Sequence, residues 1–490
     1  MKEREFSSAL WSLDPNSDLQ SEAIPGQLSF DGTSHFQLDI PVGVLLDYPK
    51  IPTAEGYMQR HTVGGLHADC AYGFSQTGDY LLLKDVTTPG PCFAAPGFQR
   101  QSLTGATLLV SKQRIGSNPR VKSIAVRIPG LREWAGLVPF TVSYKMAGNK
   151  PKGLTFNCAF EDAENLMLYE DEQVRVFISF TFKREGGRTP SFSFSFETDC
   201  EINIVHKQQG CDFESTLAQY AFPIVDFMAF CMGFRKTITS IKFMTDEGVG
   251  GEYLAPFAGA SDELKNVELD RMPLPYKRIS GKISNMIANW FSFDEYAKSS
   301  SILITSLMHN WEMPLDMRFL ASAQAFEAAS RSRVDEQEIT DEALQEKIEA
   351  IKKSDMTSKL RQWVVYKVKN AKWKTANSLA DSLIGRLEDL PPYIVPDTSR
   401  YLEDHRRHRD AYTHRKNLST EQQLSSADLH VHAEATQLLT YGAIALFLGI
   451  EPREIVSALK ESKYRWNSIY RANRLYALKP DVNDDQGSNT

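Results

Sequence analysis

Histidines are concentrated in one short stretch near the end of the chain. Five of the ten histidines fall within 28 residues: His405, His408, His414, His430 and His432. Arginines are interleaved with them at Arg400, Arg406, Arg407, Arg409 and Arg415. Three interpretations compete for such a stretch, namely a metal site, a solvated basic helix face without chemistry, and acid–base chemistry on a phosphodiester.

The surrounding charge disfavours a metal site. Histidine is the commonest transition-metal ligand, but arginines packed around a metal cation would repel it. The stretch holds no cysteine, and its carboxylates are limited to Glu403, Asp404 and Asp410 between residues 400 and 416. We therefore expect neither a metal nor another cofactor.

Acid–base chemistry on RNA suits the residue types better. Attack by a 2′-hydroxyl on the neighbouring phosphorus needs a group that titrates near neutrality, and histidine has a reference pKa of about 6.5. It also needs fixed positive charge where the phosphorane develops negative charge, which arginine supplies in bidentate geometry. The solvated basic helix remains the alternative.

Helical geometry relates the candidate residues to one another. Asp410 and His414 are four residues apart, so about 40° separates them and the carboxylate is expected to orient the imidazole. Arg407 lies seven residues before His414, on nearly the same stripe. Arg409 lies about 140° away at 100° per residue. Its convergence with His414 requires its long side chain, a distorted turn or a second copy of the chain, which points to a site completed at an interface.

The first half of the chain reads as strands. Alternation is clearest from Val174 to Phe182, and glycines and prolines separate the short segments. Many short strands without interleaved helices predict an antiparallel sandwich or barrel. The predicted strands are 36–40, 80–86, 106–110, 123–128, 140–145, 154–160, 174–182 and 192–196, followed by a helix at 213–232 and a strand at 239–244.

From about residue 280 the pattern becomes helical, so the chain as a whole is predicted to be an α+β multidomain protein with a sandwich-like N-terminal domain and an all-α C-terminal bundle. Predicted helices span 315–333, 338–353, 355–373, 376–389, 399–417 and 420–449. We place a β-rich domain at 1–250, a glycine-rich connector at 251–279, the helical domain at 280–465 and a C-terminal tail at 466–490.

Composition excludes several classes of protein. At 42% hydrophobic and 24% charged residues, the chain is typical of a globular protein. No apolar run reaches the roughly 20 residues that span a bilayer, and the N-terminus has no apolar signal segment. The six cysteines form no Cys-x-x-Cys pair, which favours reduced thiols in the cytoplasm. Phosphate-cradling glycine motifs are absent from the sequence, which disfavours nucleotide-driven motors and dehydrogenases.

Positive charge gathers in the last third of an acidic chain. Residues 351–490 hold 22 basic and 17 acidic residues, whereas residues 1–250 hold 23 and 28. The segment from Lys352 to Lys374 contains eight basic residues and one acidic residue, and the segment from Lys463 to Lys479 contains five and none. Such clusters favour a polyanionic partner such as RNA.

The segment Arg409-Asp-Ala-Tyr-Thr-His414 resembles the Arg-x(4–6)-His motif of HEPN-domain ribonucleases, in which a polar residue often follows the arginine. Upstream, the helix ending Ala-Phe326-Glu327 is similar to the early HEPN helix that closes on an acidic residue. With Gly26-Gln-Leu28-Ser-Phe30 and Leu131-Arg-Glu-Trp134 in the first half, the whole chain resembles ApeA-type anti-phage proteins.

The resemblance implies a metal-independent endoribonuclease whose two motifs meet in a homodimer, or a higher homo-oligomer, of HEPN domains. It assigns the acid–base histidine to His414, the phosphate-stabilising arginine to Arg409 and the polar residue to Asp410. Glu327 is a looser match with a positioning role, or else a solvated carboxylate, and Arg407 has an allowed spacing as an alternative to Arg409. The other four clustered histidines are expected to be solvated or adjacent to RNA.

The implied biology is abortive infection, in which cleavage of tRNA or other host RNA stalls growth. Such a nuclease must be restrained, so we expect the β-rich half to be a sensor or inhibitory domain that responds to a phage-derived trigger. An acidic N-terminal region covering a basic RNA face is one physical route to restraint. The alternative is a non-catalytic RNA- or partner-binding protein with a ligand-sensing β-domain.

Overall fold

A computed structural model of the chain describes residues 4–30, 35–47, 50–53, 56–59, 65–88, 94–95, 98–136, 140–148, 150–158, 165–186, 194–234, 238–256, 269–309, 313–334, 340–370, 374–414, 418–419 and 422–478. The chain divides into two compact units. The β unit consists of Met1–Met228, Lys236–Leu269 and Tyr276–Ser284, and the helical unit consists of Ala229–Arg235, Asp270–Pro275 and Asn285–Thr490.

The strands all belong to the β unit. In chain order they are β1 Arg4–Ser12, β2 Ile24–Phe30, β3 Phe36–Ile40, β4 Lys50–Thr53, β5 Gly56–Gln59, β6 His67–Ser75, β7 Tyr80–Thr87, β8 Ala94–Ala95, β9 Phe98–Gln99, β10 Gln101–Gly105, β11 Thr107–Ser111, β12 Arg120–Arg127, β13 Phe140–Ala147, β14 Lys150–Cys158, β15 Leu166–Glu170, β16 Val174–Gly186, β17 Phe194–His206, β18 Cys211–Asp212, β19 Ser240–Thr245 and β20 Gly250–Leu254.

Helices interrupt the β unit briefly and make up the helical unit. In chain order they are α1 Leu131–Ala135, α2 Phe213–Thr216, α3 Phe222–Met232, α4 Tyr276–Ile279, α5 Ile283–Phe291, α6 Glu295–His309, α7 Leu315–Arg331, α8 Asp341–Lys352, α9 Ser358–Asn370, α10 Ala376–Arg386, α11 Leu390–Ile394, α12 Thr398–His414, α13 Ser426–Phe447, α14 Pro452–Glu461 and α15 Trp466–Leu475.

One antiparallel sheet dominates the β unit, in the order β10-β3-β2-β1-β6-β7-β11-β20-β19-β12-β17-β16-β15, with β18 beside β12. Strand β10 also pairs with β7 at Thr104 and Thr87, so six strands close into a ring. The buried core of this ring includes Trp11, Phe36 and Leu83. The structure therefore confirms the predicted antiparallel β-rich region. The predicted sandwich-like domain is built on this one sheet, which closes into a ring at one end and continues from β7 as an open extension.

Strands β16 and β17 of the open extension show why the alternation of apolar and polar residues was informative. Val174, Val176 and Ile178 of β16 are buried and alternate with more exposed residues. They pair in register with His206, Ile204 and Ile202 of β17, so one apolar face continues across both strands. Side chains of successive residues point to opposite faces of a sheet, and this periodicity identified the strand from sequence.

The glycine-rich segment that we expected to be a connector contains a central strand. Strand β20 pairs with β11 on one side and β19 on the other. At Gly251 an added Cβ would overlap the ring of Phe243 and lie 2.7 Å from the carbonyl oxygen of Val110. A glycine is therefore required here because neighbouring strands approach too closely for a side chain.

A π-helical turn at Leu217–Ala221 divides the predicted helix at 213–232 into α2 and α3. The first part begins with Asp212, whose Oδ1 accepts a hydrogen bond from the Ser215 backbone at 2.8 Å. Pro223 lies two residues beyond the wide turn and lacks the amide hydrogen that an α-helical bond would need. The backbone N–H of Phe222 donates to the carbonyl oxygen of Leu217 across the wide turn, and α-helical geometry resumes from Phe222.

Helix α13 is the centre of the helical unit, and it is buried along almost its whole length. It packs against α6, α7, α11, α14 and α15, while α7 also contacts α10 and α12. The segment Trp466–Leu475, which we expected to be part of the tail, is α15 and packs on α13. Residues 479–490 of that tail lie outside the described residues.

Two expectations from composition have structural counterparts. Within the described part of the chain, no helix is both long enough and apolar enough to cross a bilayer. Cys70, Cys200, Cys211 and Cys231 are free thiols, as expected from their scattered spacing. Cys92 and the side chain of Cys158 lie outside what the structure describes.

Candidate active site

Helix α12 carries the predicted site, and both of its ends are held in place. At its start, Oδ1 of Asp397 accepts a hydrogen bond from the Arg400 backbone at 3.0 Å, which satisfies a donor that the helix leaves free. Near its end, the hydroxyl of Tyr412 donates to Oδ1 of Asp316 at 2.9 Å. The Tyr412 ring packs on Phe319 with 5.3 Å between ring centroids.

Burial together with the bond to Asp316 raises the pKa of Tyr412 to about 12, so its hydroxyl stays protonated and keeps donating at neutral pH. Tyr412 also packs against the small apolar cluster of Phe319, Ala323, Leu429 and Ala433. The last turn of α12 is thus attached to α7, the helix that carries Glu327.

Arg409 lies between two carboxylates. Its Nη1 is 2.9 Å from Oδ1 of Asp410, and its Nε is 4.0 Å from Oε2 of Glu327 across the contact between α12 and α7. Oε1 of Glu327 pairs in turn with Nη2 of Arg331 at 3.1 Å, one turn further along α7. The tertiary structure therefore brings three predicted residues, Arg409, Asp410 and Glu327, into one ion-pair network.

Sequence reasoning missed Arg331 in this network. A signal for it existed, because Glu327 and Arg331 are four residues apart on a predicted helix and such pairs face each other. The contact between Glu327 and Arg409 had no such local signal, since 82 positions of chain separate the two residues. The Glu327 side chain is 34% exposed, so this carboxylate is half-buried rather than fully solvated.

His414 is the last residue of α12, and its side chain is exposed. Among the described residues, no ion pair within 4.0 Å joins His414 to Asp410, whose carboxylate contacts Arg409 instead. The expected orientation of the imidazole by Asp410 is therefore not observed in a single chain. Because α12 is regular to its end, Arg409 and His414 leave it about 140° apart, as the sequence geometry predicted.

Arg407 has a different environment from Arg409. Its guanidinium pairs with Glu403 one turn back on the same helix, and its Nη1 lies 3.2 Å from Oδ1 of Asp404. Arg407 shares the outward stripe with His414, but its charge is engaged by acids of its own helix. Of these two arginines, Arg409 is the one that the tertiary structure places beside a carboxylate of a second helix.

Three of the clustered histidines are buried, so the expectation that they are solvated or adjacent to RNA is wrong. His405, His408 and His432 are 5%, 2% and 0% exposed. Nδ1 of His405 is 3.3 Å from Nε2 of His432, whose Nδ1 is 2.5 Å from the hydroxyl of Tyr476. Burial lowers the pKa of His405 to about 3 and that of His432 well below its ordinary value, so both rings are neutral at pH 7.

His408 joins α12 to the chain that precedes α13. Its Nε2 accepts a hydrogen bond from the Leu424 backbone at 3.0 Å, so the proton is on Nδ1, which donates to the Asp404 carbonyl at 2.9 Å. The fourth histidine, His430, is half-buried, with Nε2 3.5 Å from Oε1 of Glu434. The three buried imidazoles pack between helices and connect them.

The described residues contain no group of three or more His, Cys, Asp or Glu side chains that could hold a metal ion. The candidate site on α12 consists of the Arg409 guanidinium, which is held between helices, and the exposed imidazole of His414 five residues further along. A guanidinium can stabilise developing negative charge on a phosphoryl group, and an exposed imidazole can transfer a proton.

The fold and the site define a two-part protein, in which an antiparallel β unit is followed by a helical unit. The helical unit carries the cluster of Arg409, its carboxylates and His414. The family model described as ApeA N-terminal domain 1 matches residues 7–290. The chain belongs to the ApeA family of anti-phage proteins. Comparison with curated proteins finds no match, and neither does comparison with solved structures.

Proposed function

We propose that the chain is a metal-independent endoribonuclease of HEPN type that acts in anti-phage defence by abortive infection. The observation that carries the proposal is the position of Arg409, which is held between Asp410 and Glu327 one and a half turns from an exposed His414 at a helix end. The motif of HEPN ribonucleases has these residue types at this spacing.

In the proposed reaction, the imidazole of His414 removes the proton from a ribose 2′-hydroxyl. The 2′-oxygen forms a bond to the adjacent phosphorus, and the bond from phosphorus to the 5′-oxygen breaks. The Arg409 guanidinium stabilises the negative charge of the phosphorane. The departing oxygen takes up a proton from an imidazolium, so the products are a 2′,3′-cyclic phosphate and a 5′-hydroxyl.

The site is completed by a second copy of the chain. Arg409 and His414 diverge by about 140° on one regular helix, and His414 contacts no carboxylate among the described residues. A homodimer, or a higher homo-oligomer, through the helical units would place the His414 of one copy beside the Arg409 of the other. RNA, with tRNA as the first candidate, is the proposed substrate.

The test is incubation of the purified protein with total tRNA. We expect discrete fragments with 5′-hydroxyl ends that form equally well in EDTA, and at least about 100-fold slower cleavage by His414→Ala. Thr413→Ala is the matched control, because Thr413 is the exposed neighbour of His414 on the same turn. Unchanged cleavage by His414→Ala would end the assignment.

A non-catalytic RNA-binding protein is the second candidate, and the divergence of Arg409 and His414 on the regular helix α12 of one chain favours it. For that function the same incubation gives a salt-sensitive mobility shift of tRNA without fragments.

The β unit is proposed to control activation in response to a phage-derived trigger. This part of the proposal predicts low cleavage by the full chain alone and faster cleavage after an extract of phage-infected cells is added. An extract from uninfected cells is the control, and equal stimulation by both extracts would contradict regulation by a phage component.

A further inference from the structure

Helix α9 lies within the basic segment between Lys352 and Lys374, and it packs against α8. Its sequence, Ser-Lys-Leu-Arg-Gln-Trp-Val-Val-Tyr-Lys-Val-Lys-Asn, contains no acidic residue. The three valines Val364, Val365 and Val368 are half-buried, as expected for the inner side of an amphipathic helix. The outer side of α9 combines exposed aromatic and basic residues.

Two large aromatic side chains lie on that outer side. Trp363 is 58% exposed and Tyr366 is 61% exposed, and they are three residues apart, so both lie on one stripe. The exposed residues Lys359 and Lys367 lie beside them, and Nζ of Lys367 is 5.8 Å from the centre of the Trp363 ring. We call this surface the α9 face and define it by Lys359, Trp363, Tyr366 and Lys367.

Arg361, the single arginine in the α9 sequence, fixes the orientation of the helix. Nη2 of Arg361 donates to the carbonyl oxygens of Ser354 and Met356 at 3.0 and 2.9 Å. These bonds attach α9 to the segment that follows α8, so the valine side stays inward and the α9 face outward. Within the described residues, no ion pair links Lys359 or Lys367 to a carboxylate, although α8 is rich in acids.

We infer that the α9 face binds unpaired bases of RNA, with Trp363 and Tyr366 stacking on bases and the two lysines contacting phosphates. Exposed aromatics with cations beside them and no acidic residue match both components of single-stranded RNA. A membrane-binding helix would instead turn its broad apolar side outward, whereas the valines of α9 face inward and Leu360, at 47%, is the one exposed aliphatic side chain among its described residues. This inference rests on the proposed function for its choice of RNA, and it adds a substrate-holding surface separate from the residues of cleavage.

The test measures binding of the full-length protein to a labelled, single-stranded 2′-O-methyl RNA of about 12 nucleotides, which lacks the 2′-hydroxyl needed for cleavage. The double variant Trp363→Ala/Tyr366→Ala is expected to bind at least about 30-fold more weakly. The control is Tyr296→Ala/Ile302→Ala, which removes two exposed apolar side chains, 42% and 49%, from α6, outside both basic segments. It should bind like the wild type.

The lysines are tested through the salt dependence of binding. Each lost phosphate contact on a single strand reduces the slope of log affinity against log salt by about 0.7. Lys359→Gln/Lys367→Gln is therefore expected to reduce that slope by about 1.4. An unchanged slope would show that the two lysines do not contact phosphates of the RNA.

Other outcomes overturn the inference. They are failure of the wild type to bind the probe, equal losses in the α9 and α6 variants, or an α9 variant that keeps RNA affinity but loses binding to anionic vesicles or dissociates into monomers. Because the probe is not cleaved, these outcomes are independent of whether His414→Ala abolishes cleavage. Loss of cleavage in His414→Ala with intact binding in the α9 variant would refute only the binding surface.

Discussion

The guanidinium of Arg409 and the carboxylate of Glu327 face each other between helices α12 and α7, with 4.0 Å from Nε to Oε2. Glu327 also contacts Arg331, so one carboxylate lies between two guanidinium groups. A carboxylate in this position can orient Arg409 and hold its planar fork in one direction. In the proposed ribonuclease, Glu327 is therefore a positioning residue.

Glu327→Gln tests this role. We expect kcat for RNA cleavage to fall about ten-fold with little change in KM, because the guanidinium is less well oriented when the phosphorane forms. Glu403→Gln is the matched control, since Glu403 is an exposed carboxylate that contacts Arg407 instead. A rise in KM at constant kcat would show that Glu327 acts in RNA binding.

A pair of alanine variants distinguishes whether Arg409 or Arg407 acts in the proposed cleavage. Arg409→Ala should reduce cleavage at least about 100-fold, whereas Arg407→Ala should retain most activity because Glu403 and Asp404 already engage its charge. Arg409→Lys should recover only part of the rate, because an ammonium lacks the bidentate geometry of a guanidinium. The reverse pattern would assign the chemistry to Arg407, which shares a stripe with His414.

The buried pair His405 and His432 predicts a loss of stability in acid. Burial lowers both pKa values in the folded chain, so the unfolded chain binds more protons once the pH falls below about 6.5. The stability from two neutral rings is present above pH ~6.5 and is lost as the pH falls towards the folded pKa, which is about 3 for His405.

Urea unfolding at pH 7.0 and at lower pH measures this loss. Each histidine is expected to contribute roughly 1.4 kcal/mol per pH unit below 6.5, so His405→Gln should reduce the slope. Asp404 acts in the opposite direction, because burial raises the pKa of its carboxyl group. Comparison of wild type and variant cancels that contribution, and equal slopes would contradict the assignment.

Two helical glycines are predicted to respond oppositely to alanine. A Cβ at Gly442 of α13 would overlap Cδ2 of the buried Leu390, so Gly442→Ala should destabilise the chain by about 1–3 kcal/mol. Gly385 of α10 is exposed and has open space around its Cβ position. Gly385→Ala should therefore stabilise by about 0.5–1 kcal/mol. Thermal unfolding of both variants measures the difference, and a stabilised Gly442→Ala would show that Leu390 repacks freely.

Local sequence patterns were sufficient for many individual elements. The predicted strand at 80–86 is β7, and the predicted helices at 315–333 and 399–417 are α7 and α12 within a few residues at each end. Alternation and helical spacing depend only on neighbours along the chain, so they remain readable in one sequence. Strand β20 was missed because its glycines look like a linker, and only its two neighbouring strands explain them.

The inner side of α12 shows what sequence patterns concealed. Its buried residues include Tyr401, His405 and His408, and Tyr412 near its end is half-buried, so much of the side that faces the core carries polar groups. A hydrophobic pattern could not identify this side, and the three buried histidines were taken for solvated ones. Their burial depends on partners such as Tyr476 and Leu424, which come from other parts of the chain.

The sequence by itself determined the order of β-rich and helical parts, most of the elements and the spacing of Arg409 and His414, because these properties follow from residues close together in the chain. Tertiary structure alone decided that the sheet closes through β7 and β10, that three histidines are buried and that Glu327 meets Arg409. Those outcomes depend on contacts between distant segments, and such contacts form only when the apolar faces of many elements pack together at once.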